Sequence, residues 1–186
     1  MKLIEKKLSK KLSNYHEIGE FMKRVFPKDE RMPMWLIRVL IHKKNYQCNV
    51  YYDQNVFVGI VFTIESDDTV FVFYLAVNDA IHSRGYGSEL LQVLFEKYPE
   101  KSVTLFIETM DDKEADNYEQ RVKRLAFYER NGFSQTGFQA GGKKPVVDIL
   151  SRDKSYTIDQ AKKLMKWIPM KLFESDTEQK KKKKKK

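Results

Sequence analysis

One cysteine, Cys48, and three widely spaced histidines, His16, His42 and His82, are all that 186 residues offer in the way of soft metal ligands. An internal disulfide and a cysteine-built metal cluster are thereby excluded, and the histidine spacing fits no zinc motif, so no metal is expected. Nowhere do about 18 apolar residues run together as a membrane span requires. The opening "MKLIEKKLSKKL" is interrupted by charge where a signal peptide needs an apolar stretch, and a cytoplasmic protein is expected. Basic excess is also scarcer than the net charge of +9 suggests: Lys180 to Lys186 supply seven of 35 basic residues, leaving 28 against 26 acidic ones, or +2. A body so near neutrality carries no basic stripe for nucleic acid, and the lysine block reads as a self-repelling, disordered tail.

What is present has the texture of one α/β domain. "YHEIGEFMKRVF" and "MWLIRVLIH" show helical spacing on either side of a Pro- and charge-bearing loop. "YQCNVYYD", "NVFVGIVFTIES" and "TVFVFYLAV" then read as three strands joined by tight turns, hence antiparallel. A helix with Leu90, Leu91, Leu94 and Tyr98 on one face precedes the strand "SVTLFIETM", which implies a parallel crossover. A second helix ends at "ERNGF", where Gly132 suits the left-handed position past a helix end. "GFSQTGFQ" and "KPVVDILS" close as an antiparallel pair. Thr157 and Gln160 spell a capping box before a last helix near 157–168 that stops at Pro169. The domain is placed at residues 1–174 and the tail at 175–186.

Glycine is sparse, eight in all, yet two fall within "HSRGYGSELL" at the start of a helix. Glycine inside a helix costs about 1 kcal/mol against alanine, so the backbone itself must matter there. The first turn of a helix exposes unpaired N–H groups with partial positive charge, and small residues let an anion approach them; phosphate is the fitting guest. A turn that merely lets helix and strand pack is the competing reading.

Two motifs carry a resemblance to the GCN5-related N-acetyltransferase (GNAT) family, in the manner of a small bacterial-type single-domain member. "HSRGYG" resembles the family's turn of Gln or Arg, two variable residues, Gly, one variable residue and Gly or Ala, with His82 at the Gln or Arg position. "FYERNGF", Phe127 to Phe133, is similar to the aromatic–Tyr–Glu–basic–x–Gly–Phe stretch at a helix end. The likeness spans about residues 2–150. It implies a mixed sheet of about six to seven strands, mostly antiparallel with a central splayed parallel pair, flanked by about four helices. It also implies acetyl transfer from acetyl-CoA to a primary amine of a small molecule or peptide.

Carried onto this chain, the resemblance puts the diphosphate of acetyl-CoA on the amides of His82, Ser83, Arg84, Gly85, Tyr86, Gly87 and Ser88. It puts the pantetheine arm along the backbone of Leu75, Ala76 and Val77, residues whose side chains can equally fill the core. Tyr128 becomes the acid that protonates the departing thiolate. Phe71 stands where histone-modifying relatives have a glutamate base, so Glu108 is the substitute, with a structural salt bridge as its alternative. Arg121 replaces the family's usual Asn, and Asn117 nearby is assigned a cofactor contact. The acceptor pocket falls between the first two helices, where Phe26, Met32, Met34 and Trp35 offer an apolar wall and Asp29 and Glu30 attract a cation; plain helix packing is the alternative. The partners expected are acetyl-CoA, an amine and a second copy in a homodimer, with no specific nucleic acid. The competing class is a noncatalytic CoA-binding or regulatory module that kept the phosphate turn and lost the base.

Overall fold

The structure, a computed structural model, describes residues 3–28, 30–81, 85–141 and 146–168. Three consecutive antiparallel strands, β2 (Tyr46–Asp53), β3 (Val56–Glu65) and β4 (Thr69–Val77), follow the helices α1 (Tyr15–Val25) and α2 (Met34–Leu40). Helix α3 (Tyr86–Lys97) carries the chain over to β5 (Ser102–Glu108), which pairs parallel with β4. Helix α4 (Tyr118–Arg130), the hairpin β6 (Ser134–Ala140) and β7 (Val147–Ser151), and helix α5 (Ile158–Met165) complete it. Thr157 and Gln160 do form the capping box that begins α5.

A seventh strand, β1 (Ile4–Lys7), lies at the sheet edge against β2, and the order is β1-β2-β3-β4-β5-β7-β6. Its residues are all exposed and two are lysines, the composition that blunts an edge against further pairing. That same charge hid it as a strand. Among the described residues five α-helices flank the sheet, in keeping with the expected fold, α5 being added to the two on each face. The expected helix stop at Pro169 and the tail at 175–186 lie outside the described residues.

The sheet separates two cores. On one face α1, α2 and α5 pack Ile18, Phe21, Ile37 and Leu164 onto Phe62, Ile64 and Phe71. On the other, α3 sets Leu90, Leu91 and Leu94 against Val61, Val70, Val72 and Leu105, with Leu125, Phe127 and Tyr128 of α4 packed alongside. All five α-helices except α4 bury at least one residue fully.

The parallel pair opens partway. Thr69 to Val72 face Ser102 to Leu105 in register, and there the pairing stops, although β4 runs on to Val77 and β5 to Glu108. Two features on the β3 side account for it. Between Phe62 and Thr63 the β3–β4 register skips Phe73, and a bulge of this kind bends its strand. Farther along, Gly59 faces Val77, and a Cβ at Gly59 would lie 2.2 Å from the Ala76 carbonyl oxygen. Only glycine permits so close an approach. The far half of β4 is held toward β3 and leaves β5.

Candidate active site

Where the strands part, their residues become accessible. Thr69 to Val72 and Ser102 to Leu105 are all buried, whereas Phe73, Leu75, Ala76, Val77, Phe106 and Glu108 are half-buried. Past Val72 the β5-facing backbone of β4 has no ladder partner among the described residues. Backbone groups that are both reachable and unpaired seek a ligand's donors and acceptors.

The glycine turn lies at the end of this gap. Asn78 anchors the approach, its amide donating to the Val58 carbonyl (2.7 Å) and its side chain to that of Phe57 (2.9 Å). A single 3-10 turn, Asp79–Ile81, follows, and Arg24 of α1 grips Asp79, with Nε donating to Oδ2 at 2.6 Å. Gly85 caps α3 at φ +77° with open space around it, so its role is conformational. Among the described residues no side chain caps this helix, and the first intrahelical bond is from the Glu89 amide to the Gly85 carbonyl (3.1 Å). The amides of Gly87 and Ser88 precede that bond and have no partner within the helix, as an anion site at a helix start requires. His82, Ser83 and Arg84 lie outside the described residues.

Gly87 has a packing reason as well: a Cβ there would lie 3.0 Å from Cζ of Phe127. The second glycine thus serves the contact between α3 and α4. The Tyr86 side chain is buried and its hydroxyl donates to Asp53 at 2.8 Å, pinning the start of α3 to the β2–β3 turn.

The second motif has a local cause too. With Gly132 at φ +86°, the Phe133 amide donates to the Tyr128 carbonyl (3.1 Å) and the Gly132 amide to that of Glu129 (3.0 Å). This is the Schellman arrangement, and its accompanying apolar contact is Tyr128 on Phe133, ring centroids 5.6 Å apart. The helix ending therefore fixes the Tyr128 ring, with Phe127 at 5.1 Å on its other side. Burial pushes the phenol up from its ordinary pKa, opposed by the charge of Arg124 and reinforced by that of Glu108. Tyr128 is protonated at neutral pH, as a proton donor must be.

Glu108, at the end of β5, pairs with Arg124 of α4 and accepts from Asn117 Nδ2 at 3.2 Å. Asn117 in turn accepts from Arg121 Nε (2.8 Å), whose guanidinium also donates to the Thr109 carbonyl (2.9 Å). The residue at the family's Asn position and the residue nominated in its stead are thus members of one network. The family resemblance named Glu108 and Asn117 and set Arg121 at the family's Asn position, but it left Arg124 unassigned; the i, i+3 placement of the two arginines was the available signal.

The first two helices divide the expected acceptor residues. Phe26 is half-buried, its ring 4.4 Å from Tyr74. Met32 is 1% exposed and belongs to the core, so it lines no pocket wall in this structure; Trp35, 60% exposed, faces outward from α2. Met34 packs against the core and Asp29 lies outside the described residues. The residue that sequence reasoning missed is Tyr74: buried on β4, its hydroxyl donates to the Glu30 carbonyl (2.7 Å) and accepts from the Met32 amide (2.8 Å). It ties the α1–α2 loop to the splayed strand. Elsewhere, a cavity of about 230 Å³ rimmed by Lys7, His42, Lys43 and Lys44 lies by β2, separated from the gap by β3.

A sheet with one half-open parallel pair, an uncapped helix start at its mouth and a tyrosine beside it defines an acyltransferase-type α/β architecture. Residues 44–135 match the family model for the acetyltransferase (GNAT) domain, and the chain carries a GNAT-family domain on the GNAT fold. A putative GNAT-family acetyltransferase from Bacteroides thetaiotaomicron is similar at 18% identity and TM-score 0.69, covering 88% of this chain and 92% of that one. A Bacillus subtilis acetyltransferase in complex with CoA aligns at 12% identity and TM-score 0.56, over 81% of this chain and 97% of its own. A GNAT acetyltransferase from Elizabethkingia anophelis with acetyl-CoA bound aligns at 12% identity and TM-score 0.54, over 80% and 96%. No curated protein matches the chain. Among the described residues no helix is long and apolar enough to cross a membrane.

Proposed function

We propose that the protein transfers an acetyl group from acetyl-CoA to a primary amine of a small molecule or peptide. One observation carries this reading: the β4 backbone from Tyr74 to Val77, which has no β5 ladder partner among the described residues, leads toward the first turn of α3, where the amides of Gly87 and Ser88 have no partner within the helix. The two features follow one another along the chain, an order that suits a ligand with a diphosphate at one end and an amide-bearing arm at the other, which is the chemistry of coenzyme A. CoA and acetyl-CoA are bound by two of the similar structures, which supports the assignment.

Under this reading, amides of Gly85 to Ser88 hold the diphosphate, and Leu75 to Val77 bind the arm and polarise the thioester carbonyl. Tyr128 protonates the sulfur as the C–S bond breaks and the C–N bond forms. The acceptor's ammonium must first lose a proton. Phe71, buried at 2% exposure, cannot take it, and Glu108 is already paired with Arg124. Glu108 therefore acts through water, or the amine enters already neutral.

Those same two residues favour the second reading, a noncatalytic CoA-binding module. Coenzyme A release by the purified protein across a panel of primary amines separates the two. Release with any amine supports transfer; tight acetyl-CoA binding with no release supports the module.

A further inference from the structure

At the β1 edge of the sheet the ladder ends early. β1 pairs with β2 only as far as Lys7 against Asn49, and one further bond runs from the Leu8 amide to the Cys48 carbonyl (2.8 Å). Tyr46 and Gln47 continue β2 past that point without a β1 partner among the described residues. The segment joining α2 to β2, residues 41–45, turns here, and the Tyr46 amide donates to the Lys43 carbonyl (3.2 Å). These two pieces of chain enclose the cavity of about 230 Å³, which has buried Ile41 and Tyr46 in its lining and exposed Lys7, Lys43 and Lys44 around it.

Each lysine has a local reason for its place. Lys7 blunts an edge strand, and Lys43 and Lys44 follow the C-terminal end of α2, where the helix dipole favours a cation. Neither reason brings a counter-charge. Among the described residues none of the three forms an ion pair, and no carboxylate lines the cavity. Glu5 and Glu65 accept from the lining carboxamides of Asn49 (2.9 Å) and Gln47 (2.5 Å), yet they are held by other lysines, Lys97 at 2.7 Å and Lys101 at 3.3 Å. The Tyr46 hydroxyl is given to the Trp167 carbonyl (2.8 Å). Two separate segments thus bring three uncompensated positive charges to one small cavity.

An anion completes such a site. A dianion matches three ammonium groups better than the single charge of a carboxylate, and a lining without arginine lacks the planar fork that pairs carboxylates bidentately. A phosphate monoester carries about −1.5 to −2 at neutral pH and offers three acceptor oxygens. The volume falls below the ~300 Å³ at which pockets for drug-sized ligands begin, so the carrier is small. We propose that this cavity binds the phosphate monoester of a small molecule through Lys7, Lys43 and Lys44. The site is independent of the acetyl-transfer reading, since β3 stands between it and the gap.

The test titrates the ¹⁵N-labelled full chain, at constant ionic strength, with inorganic phosphate, glycerol 3-phosphate and the singly charged diester dimethyl phosphate. The expected result is saturable amide shifts at Lys7 and at residues 42–47 with phosphate and with glycerol 3-phosphate. The diester should bind at least about fivefold more weakly, having one charge in place of two. Lys7→Gln and Lys43→Gln should each weaken phosphate binding about two- to fivefold, the range for exposed charge pairs, and about tenfold together. Lys43→Arg keeps the charge and should retain most of the affinity. Shifts that rise without saturating, or that are confined to Lys180–Lys186, overturn the proposal. So does equal affinity for the diester, or an affinity indifferent to both Lys→Gln variants.

Discussion

The far half of the β4–β5 pair is at least as apolar as the near half, yet the two behave differently. "TVFV" against "SVTL" is paired in register and wholly buried; "FYLAV" and "FIE" form no β4–β5 ladder among the described residues and are half-open. Hydrophobicity does not separate them. What does lies in the pairing of β4 with β3, where a bulge at Phe73 and the bare backbone of Gly59 draw the end of β4 toward β3. The near half contributes stability, the far half contributes the site under the function proposed, and each can be disturbed separately.

Leu105→Ala strikes the near half. Leu105 is 2% exposed between α3 and β5, and its truncation should cost about 2–5 kcal/mol by urea unfolding while leaving acetyl-CoA affinity of the folded fraction unchanged. Tyr128→Phe strikes beside the far half with the opposite signature. The ring contacts with Phe127 and Phe133 remain, so stability and cofactor affinity should hold while single-turnover acetyl transfer falls about 10²-fold.

A smaller effect concerns the anchor between that half and the acceptor loop. Burial pushes the Tyr74 phenol up to about 12, and burial raises Tyr51 and Tyr98 as well. An unfolded tyrosine releases its proton near pH 10, so above that pH the folded state binds more protons than the unfolded one and stability declines as pH rises. Between pH 10 and 12 each such tyrosine should remove about 1 kcal/mol per pH unit, and Tyr74→Phe should flatten the decline measured by chemical denaturation. Deleting Lys180 to Lys186 should change least: charge falls from +9 to +2, with melting temperature and acetyl-CoA affinity unaltered and only salt-sensitive polyanion binding lost.

Strand and helix order was legible because apolar periodicity and turn residues are local signals: Gly132, the Thr157 capping box and the runs of Val, Ile and Phe each act within a few positions. The edge strand β1 was not, since its residues bury nothing and pair only through backbone. For the site, the glycine turn and Tyr128 were legible through two short motifs, while their packing was not. That Gly87 faces Phe127, 40 positions on, is a tertiary fact, as is the bridge from Tyr74 to the loop at residues 30–32. Met32 and Trp35 look alike to a hydropathy reading, yet one is core and the other faces outward; helix phase relative to the sheet decides it.

The central claim is that the open half of β4 and the start of α3 together hold coenzyme A. Titrating ¹⁵N-labelled protein with coenzyme A while following backbone amide shifts tests it most directly. The account predicts saturable changes concentrated at Leu75, Ala76, Val77 and Gly85 to Ser88, with Leu105 and its paired neighbours nearly still. Absence of binding, or shifts confined to the Lys43 and Lys44 rim of the cavity beside β2, would contradict it.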